Sequence, residues 1–67
     1  MITPKEGELW RHYNGCLYVI VALANEATKL PVSYPITVIY RDVDKSTLWA
    51  RQLWTWSDSF TLEVEAP

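Results

Sequence analysis

The sequence predicts an all-β fold, either a small SH3-like barrel or a strongly bent antiparallel sheet of about five strands. Three observations carry that expectation. An Asn14-Gly15 pair sits between two β-rich runs, and apolar residues alternate with polar ones near both ends of the chain. Pro31 and Pro35 stop any long helix in the stretch after Ala24.

Taken in order, Met1–Glu6 reads as a lead-in, with Pro4 excluding a central strand there. Asn14 and Gly15 both tolerate positive φ, as a two-residue type I′ hairpin turn requires. A turn centred on them sets Leu9 opposite Ile20, Trp10 opposite Val19, Arg11 opposite Tyr18, His12 opposite Leu17 and Tyr13 opposite Cys16. One face then carries Trp10, His12, Leu17, Val19, Val21 and Leu23 as core. The other carries Leu9, Arg11, Tyr13, Cys16, Tyr18 and Ile20 as a contact surface. Ala24 to Tyr34 reads as a loop. Ile36 to Arg41 is β-branched and predicts a strand, Asp42 to Thr47 a polar turn, and Leu48 to Leu53 the antiparallel partner. That partner places Trp49, Arg51 and Leu53 on one face. Thr55 to Ser59 predicts a polar turn or a short helical one. Phe60, Leu62 and Val64 alternate with Thr61, Glu63 and Glu65, a half-buried strand with an acidic outer face.

Sixty-seven residues make one domain near the lower limit at which a core stabilises a fold alone. A single cysteine excludes an internal disulfide, and a lone His12 with a lone Cys16 gives no metal-ligand spacing. The chain is 49% hydrophobic with four Trp, so we expect a homo-oligomer that covers apolar surface, with Trp54 or Trp56 near the seam. A net charge of −2 with scattered basic residues argues against double-stranded nucleic acid as a partner. The opening residues lack the plan of a signal peptide, and the longest apolar run, Leu17 to Ala24, is too short to cross a bilayer. With a free thiol, this leads us to expect a cytoplasmic protein without a membrane partner.

Trp49, Arg51, Trp54 and Trp56 place three indoles and a guanidinium inside eight residues. Flat aromatic faces beside a planar cation suit a stacked, anionic ligand such as a nucleotide, and they suit a protein–protein anchor equally well. The candidate ligand-binding residues are Arg11, Tyr13, Tyr18, Asn25, Glu26, Trp49, Arg51 and Trp54. Each has a plainer reading. Arg51 can stack on Trp49 or Trp54 as cover for apolar surface. Asn25 and Glu26 can cap their own loop, and Glu26 can pair with Arg11 or Arg51. His12 reads as a structural histidine at a sheet edge, and Cys16 as a small half-buried residue. Trp10, Tyr40 and Phe60 belong to the core. Trp54 and Trp56 are anchors or pocket walls. With no Ser/His/Asp set, no phosphate loop and no spaced carboxylate pair, an enzyme is not expected, nor is a cofactor.

Several motifs carry a family resemblance. They are Gly7-x-x-Trp10-Arg11-His12-Tyr13-Asn14-Gly15-x-x-Tyr18, Ala24-Asn25-Glu26, Tyr34-Pro35-x-Thr37-Val38-x-Tyr40 and Trp49-x-Arg51-x-Leu53, with Trp56 following. This pattern resembles the short bacterial and phage family of uncharacterised domains numbered 1653, whose members open with G-x-Y-R-H-Y-[KN]-G and close with W-x-R-P-L. The likeness runs from Gly7 to Trp56. Trp10 stands where the family often has Tyr, and Gln52 where it has Pro. The resemblance implies a small β domain of phage type, acting in the host cytoplasm if it is phage-encoded. Together these readings lead us to expect a non-enzymatic binding module that sequesters a small nucleotide-like ligand, with an anti-defence role in a phage setting. The alternative is an adaptor or inhibitor that grips a host protein with the same Trp/Arg surface.

Overall fold

Five antiparallel strands follow the alternation of the sequence in a computed structural model that describes residues 3–66. They are β1 (Leu9–His12), β2 (Leu17–Ala24), β3 (Thr37–Asp42), β4 (Leu48–Gln52) and β5 (Phe60–Val64), with a 3-10 helix at Leu53–Asp58. One sheet holds them all in the order β4-β3-β2-β1-β5. The sheet is bent and open: β4 and β5 form its two edges and do not pair, so the barrel is not closed. The 3-10 helix carries the chain from one edge to the other. Its six residues cover roughly 12 Å at about 2.0 Å per residue, against about 19 Å between the edges of a flat five-stranded sheet. The sheet therefore coils around the helix.

The hairpin register differs from the expected one by a residue. Leu9 pairs with Val19, Trp10 with Tyr18 and Arg11 with Leu17. The connection is a three-residue loop, Tyr13-Asn14-Gly15, in which His12 N–H donates to the Cys16 carbonyl and Gly15 N–H to the His12 carbonyl, each at 2.9 Å. Only Gly15 takes positive φ, at 96°, the geometry of a turn followed by a glycine bulge. Side chains select it. Asn14 Oδ1 accepts the Cys16 N–H at 2.9 Å, and His12 Nδ1 accepts the Asn14 N–H at 3.1 Å. A one-residue slip exchanges the faces of a strand. Tyr18 and Ile20 therefore enter the core, while Leu17 and Val19 join Arg11 on the outer face. Cys16 is exposed, not half-buried. A bulge between Ile20 and Ala22 then restores the inward direction of Leu23, which packs on the core as expected.

The core consists of Trp10, Tyr18, Ile20, Val38, Tyr40, Trp56 and Phe60. Its aromatic members meet mostly edge to face, as between Tyr18 and Tyr40 at 5.1 Å and between Trp10 and Trp56 at 5.7 Å. Such pairs add about 0.5–1.5 kcal/mol each beyond area burial, which suits a domain too small for an aliphatic core. The lead-in is also built in. Pro4 is buried, and the buried Glu8 carboxylate accepts the Lys5 N–H at 2.7 Å and the Trp10 indole N–H at 3.1 Å. Met1 and Ile2, part of the expected lead-in, lie outside the described residues.

Candidate functional site

The eight candidate residues fall into separate places. On the outer face, the Arg11 guanidinium donates from Nε to Glu63 at 2.5 Å and from Nη1 to the Gly15 carbonyl at 2.8 Å. It thus ties the hairpin tip to β5. Tyr13 stands at that tip, 81% exposed, with its ring 4.2 Å from that of His12. Tyr18 is buried against Tyr40 and Phe60, so it belongs to the core and not to a contact surface. Burial, with Cys16 and Asp42 nearby, pushes its phenol above the ordinary value of 10.0. Glu26 is exposed beside a shallow hollow formed with Lys5, Glu6, Ala22 and Leu23. The ion pair seen among the described residues is Arg11–Glu63, so Glu26 pairs with neither arginine.

Trp49 and Arg51 do share the inner face of β4, opposite Tyr40 and Val38 respectively. Arg51 stacks on neither Trp49 nor Trp54. Its guanidinium carbon lies 5.5 Å from the centroid of Phe60. Its Nε donates to Thr55 Oγ1 at 3.1 Å and its Nη2 to Ser59 Oγ at 2.9 Å. Hydroxyls and a ring face hold this cation, and among the described residues no carboxylate pairs with it. It closes the open side of the sheet by joining β4 to the end of the 3-10 helix. Tyr40 beside it is raised above 10.0 by burial, and the Arg51 charge opposes part of that shift. Trp56 is not an anchor or a pocket wall: it is fully buried and stacked on Phe60, a member of the core.

A more apolar concave feature lies elsewhere. Pro31, Val32, Pro35, Ile36, Gln52, Leu53 and Trp54 line an apolar groove of about 580 Å³. Each wall is positioned. The loop wall is closed by Ser33 and Tyr34 N–H groups donating to the Leu30 carbonyl at 3.1 and 2.8 Å. The Pro35 carbonyl accepts both Asn25 Nδ2 at 3.0 Å and Thr37 Oγ1 at 2.8 Å. Asn25 itself takes a left-handed conformation, φ 63°, which asparagine tolerates better than most residues. Asn25 thus shapes the groove through Pro35. On the other wall Trp54, 71% exposed, donates its indole N–H to Gln52 Oε1 at 2.6 Å, which fixes the ring edge and leaves its surface open. Val32 is 97% exposed.

Of the eight candidates Trp54 alone lines this groove, and its other walls, Pro31, Val32, Pro35, Ile36, Gln52 and Leu53, were not among them. The available signal was the run Leu30-Pro31-Val32-x-Tyr34-Pro35, unusually apolar for a loop. No arginine or lysine lines the groove.

The family model for proteins of unknown function DUF1653 matches residues 8–66. The chain belongs to the DUF1653 family. The match runs through β5 and so takes in all five strands and the 3-10 helix. No curated protein and no solved structure matches this DUF1653 domain. Among its described residues, no group of three or more His, Cys, Asp and Glu side chains could hold a metal ion, and no helix is long and apolar enough to cross a membrane.

Proposed function

We propose that this domain is a non-enzymatic protein-binding module that seats an apolar side chain of its partner in the groove beside Trp54. The observation that supports this is the groove itself, with prolines and branched aliphatics on one wall and a pinned, exposed indole on the other. Solvent-exposed apolar surface around a tryptophan, with polar groups at its margin, is the composition of an interaction hot spot. Proline-rich walls lose little entropy on binding, because their backbone is already restricted. In a phage setting, such a module acts as an adaptor or as an inhibitor of a host protein.

A second reading keeps one specific support. The Arg51 guanidinium lies on the same strand face as the half-exposed Trp49 and is held by hydroxyls, an arrangement suited to a nucleotide-like anion stacked on the indole. It would require the guanidinium to leave Ser59 or Thr55.

Amide and indole NMR shifts separate the two. A peptide library presented to the labelled domain is expected to yield binders that shift Trp54 Nε1–H and the Val32 and Ile36 amides. Trp54→Ala is expected to remove about 2 kcal/mol or more of that affinity, the loss typical of a central aromatic anchor. Shifts produced by a nucleotide panel and centred on Trp49 and Arg51 would instead favour sequestration of a small anion.

A further inference from the structure

β4 is an edge strand of the sheet, paired on one side alone. Two ladder bonds between β3 and β4 define which residues face outward. Asp42 N–H donates to the Thr47 carbonyl at 3.0 Å, and Leu53 N–H to the Ile36 carbonyl at 2.9 Å. In an antiparallel ladder, hydrogen-bonded and non-hydrogen-bonded pairs alternate. The pairs Tyr40–Trp49 and Val38–Arg51 are therefore bonded, whereas Leu48, Ala50 and Gln52 turn their N–H and C=O groups away from β3, the Gln52 carbonyl already accepting the Thr55 hydroxyl at 3.0 Å on one of its two lone pairs. This strand carries no proline, no lysine and no bulge, and the one charge on it, Arg51, is turned to the inner face and held there by Thr55 and Ser59. The side chains on it are open as well: Leu48 is 62% and Trp49 50% exposed, and Ala50 is exposed.

We infer that β4 pairs antiparallel with β4 of a second copy of this chain, on a two-fold axis through Ala50. The strand is self-complementary in that register. Ala50 of each copy forms a bonded pair with Ala50 of the other, and Leu48 pairs with Gln52 at both ends. On the inner face, Trp49 of one copy comes directly opposite Arg51 of the other, a cation against an indole, and no like charges meet. On the outer face, Leu48 of one copy arrives beside Gln52 of the other, the residue whose amide oxygen holds the Trp54 indole. The other edge, β5, fits a second copy less well, because Glu63 and Glu65 give it a like-charged face. A five-residue strand pairs over a small area, so the association is of the transient, concentration-dependent class.

The two-fold axis supplies a sharp test. Ala50 is exposed and its side chain meets its own copy, so Ala50→Lys and Ala50→Glu each place like charges face to face without disturbing the core. Sedimentation equilibrium from about 10 μM to 1 mM is expected to show the wild-type 7.8 kDa chain in exchange with a dimer. Each single variant is expected to weaken self-association by about fivefold or more. A one-to-one mixture of the Lys and Glu variants is expected to restore it. Circular dichroism checks that both variants keep the strand spectrum. A wild-type chain that stays monomeric throughout overturns the inference. So does a wild-type dimer that both variants form equally well, or a mixture that associates no better than either variant alone.

Discussion

Trp56 stacks on Phe60 with 3.7 Å between ring centroids and an interplanar angle of 1°. The contact joins the 3-10 helix to β5, and both rings also meet Tyr40 edge to face, at 5.0 and 5.4 Å. Much of the domain's cohesion passes through this pair. A chain of 67 residues has a total stability of roughly 3–10 kcal/mol. Trp56→Ala removes a fully buried indole, at a cost of about 3–5 kcal/mol. We therefore expect this variant to be largely unfolded at room temperature, checked by loss of dispersed amide resonances and of a cooperative urea transition.

Arg51 holds the open side of the sheet through two hydroxyls and the Phe60 ring. Arg51→Ala is expected to lower stability by about 1–2 kcal/mol, from lost charge-assisted hydrogen bonds and the cation–π contact, with some relief because the group is only part-buried. Arg51→Lys keeps the charge but lacks the planar fork needed to reach both hydroxyls, so it recovers only part of that loss. The urea midpoint measures both.

Gln52 has φ −63° and ψ 136°, and its N–H points away from β3. That is a backbone suited to proline. Gln52→Pro is expected to leave the fold intact and to stabilise it by up to about 1 kcal/mol through the unfolded chain. It also deletes the acceptor of the Trp54 indole N–H. Unchanged circular dichroism, a raised midpoint and altered Trp54 indole N–H exchange are the expected readouts.

Tyr18 and Tyr40 are both shifted upward from 10.0, chiefly by burial. The folded state therefore favours the neutral phenols. Their contribution to stability is complete below pH 10.0 and is lost as pH rises through their higher folded values. Alkaline loss of this contribution is expected as pH rises through the raised folded values. The phenolate absorbance assigned to each by difference from Tyr18→Phe and Tyr40→Phe should rise together with loss of strand signal. Ionisation of either group near 10.0 with the fold intact would contradict the burial described.

The all-β class, the bent sheet and the positions of all five strands are legible in the residues, because alternation and turn chemistry are local. Trp10, Tyr40 and Phe60 could be assigned to the core for the same reason. The inner face shared by Trp49 and Arg51 also follows from strand period alone. The hairpin register did not follow. Asn14-Gly15 fits both a two-residue and a three-residue loop, and the choice rests on His12 Nδ1 and Asn14 Oδ1 reaching particular backbone N–H groups. That single slip moved Tyr18 from the surface into the core.

What the sequence determined by itself, then, is what neighbouring residues decide between them: strands, turns, and the apolar excess of a small chain. Tertiary structure alone decided the fate of each ligand-like side chain. Arg11 found Glu63 across 52 positions of chain, and Trp56 found Phe60 once the 3-10 helix crossed between the sheet edges. The groove unites a loop at Pro31–Ile36 with residues Gln52–Trp54, two segments brought side by side only because β3 and β4 pair. A guanidinium or an indole looks the same in sequence whether it awaits a ligand or completes a core. Only the bending of the sheet, which sets what each side chain can reach, separates the two.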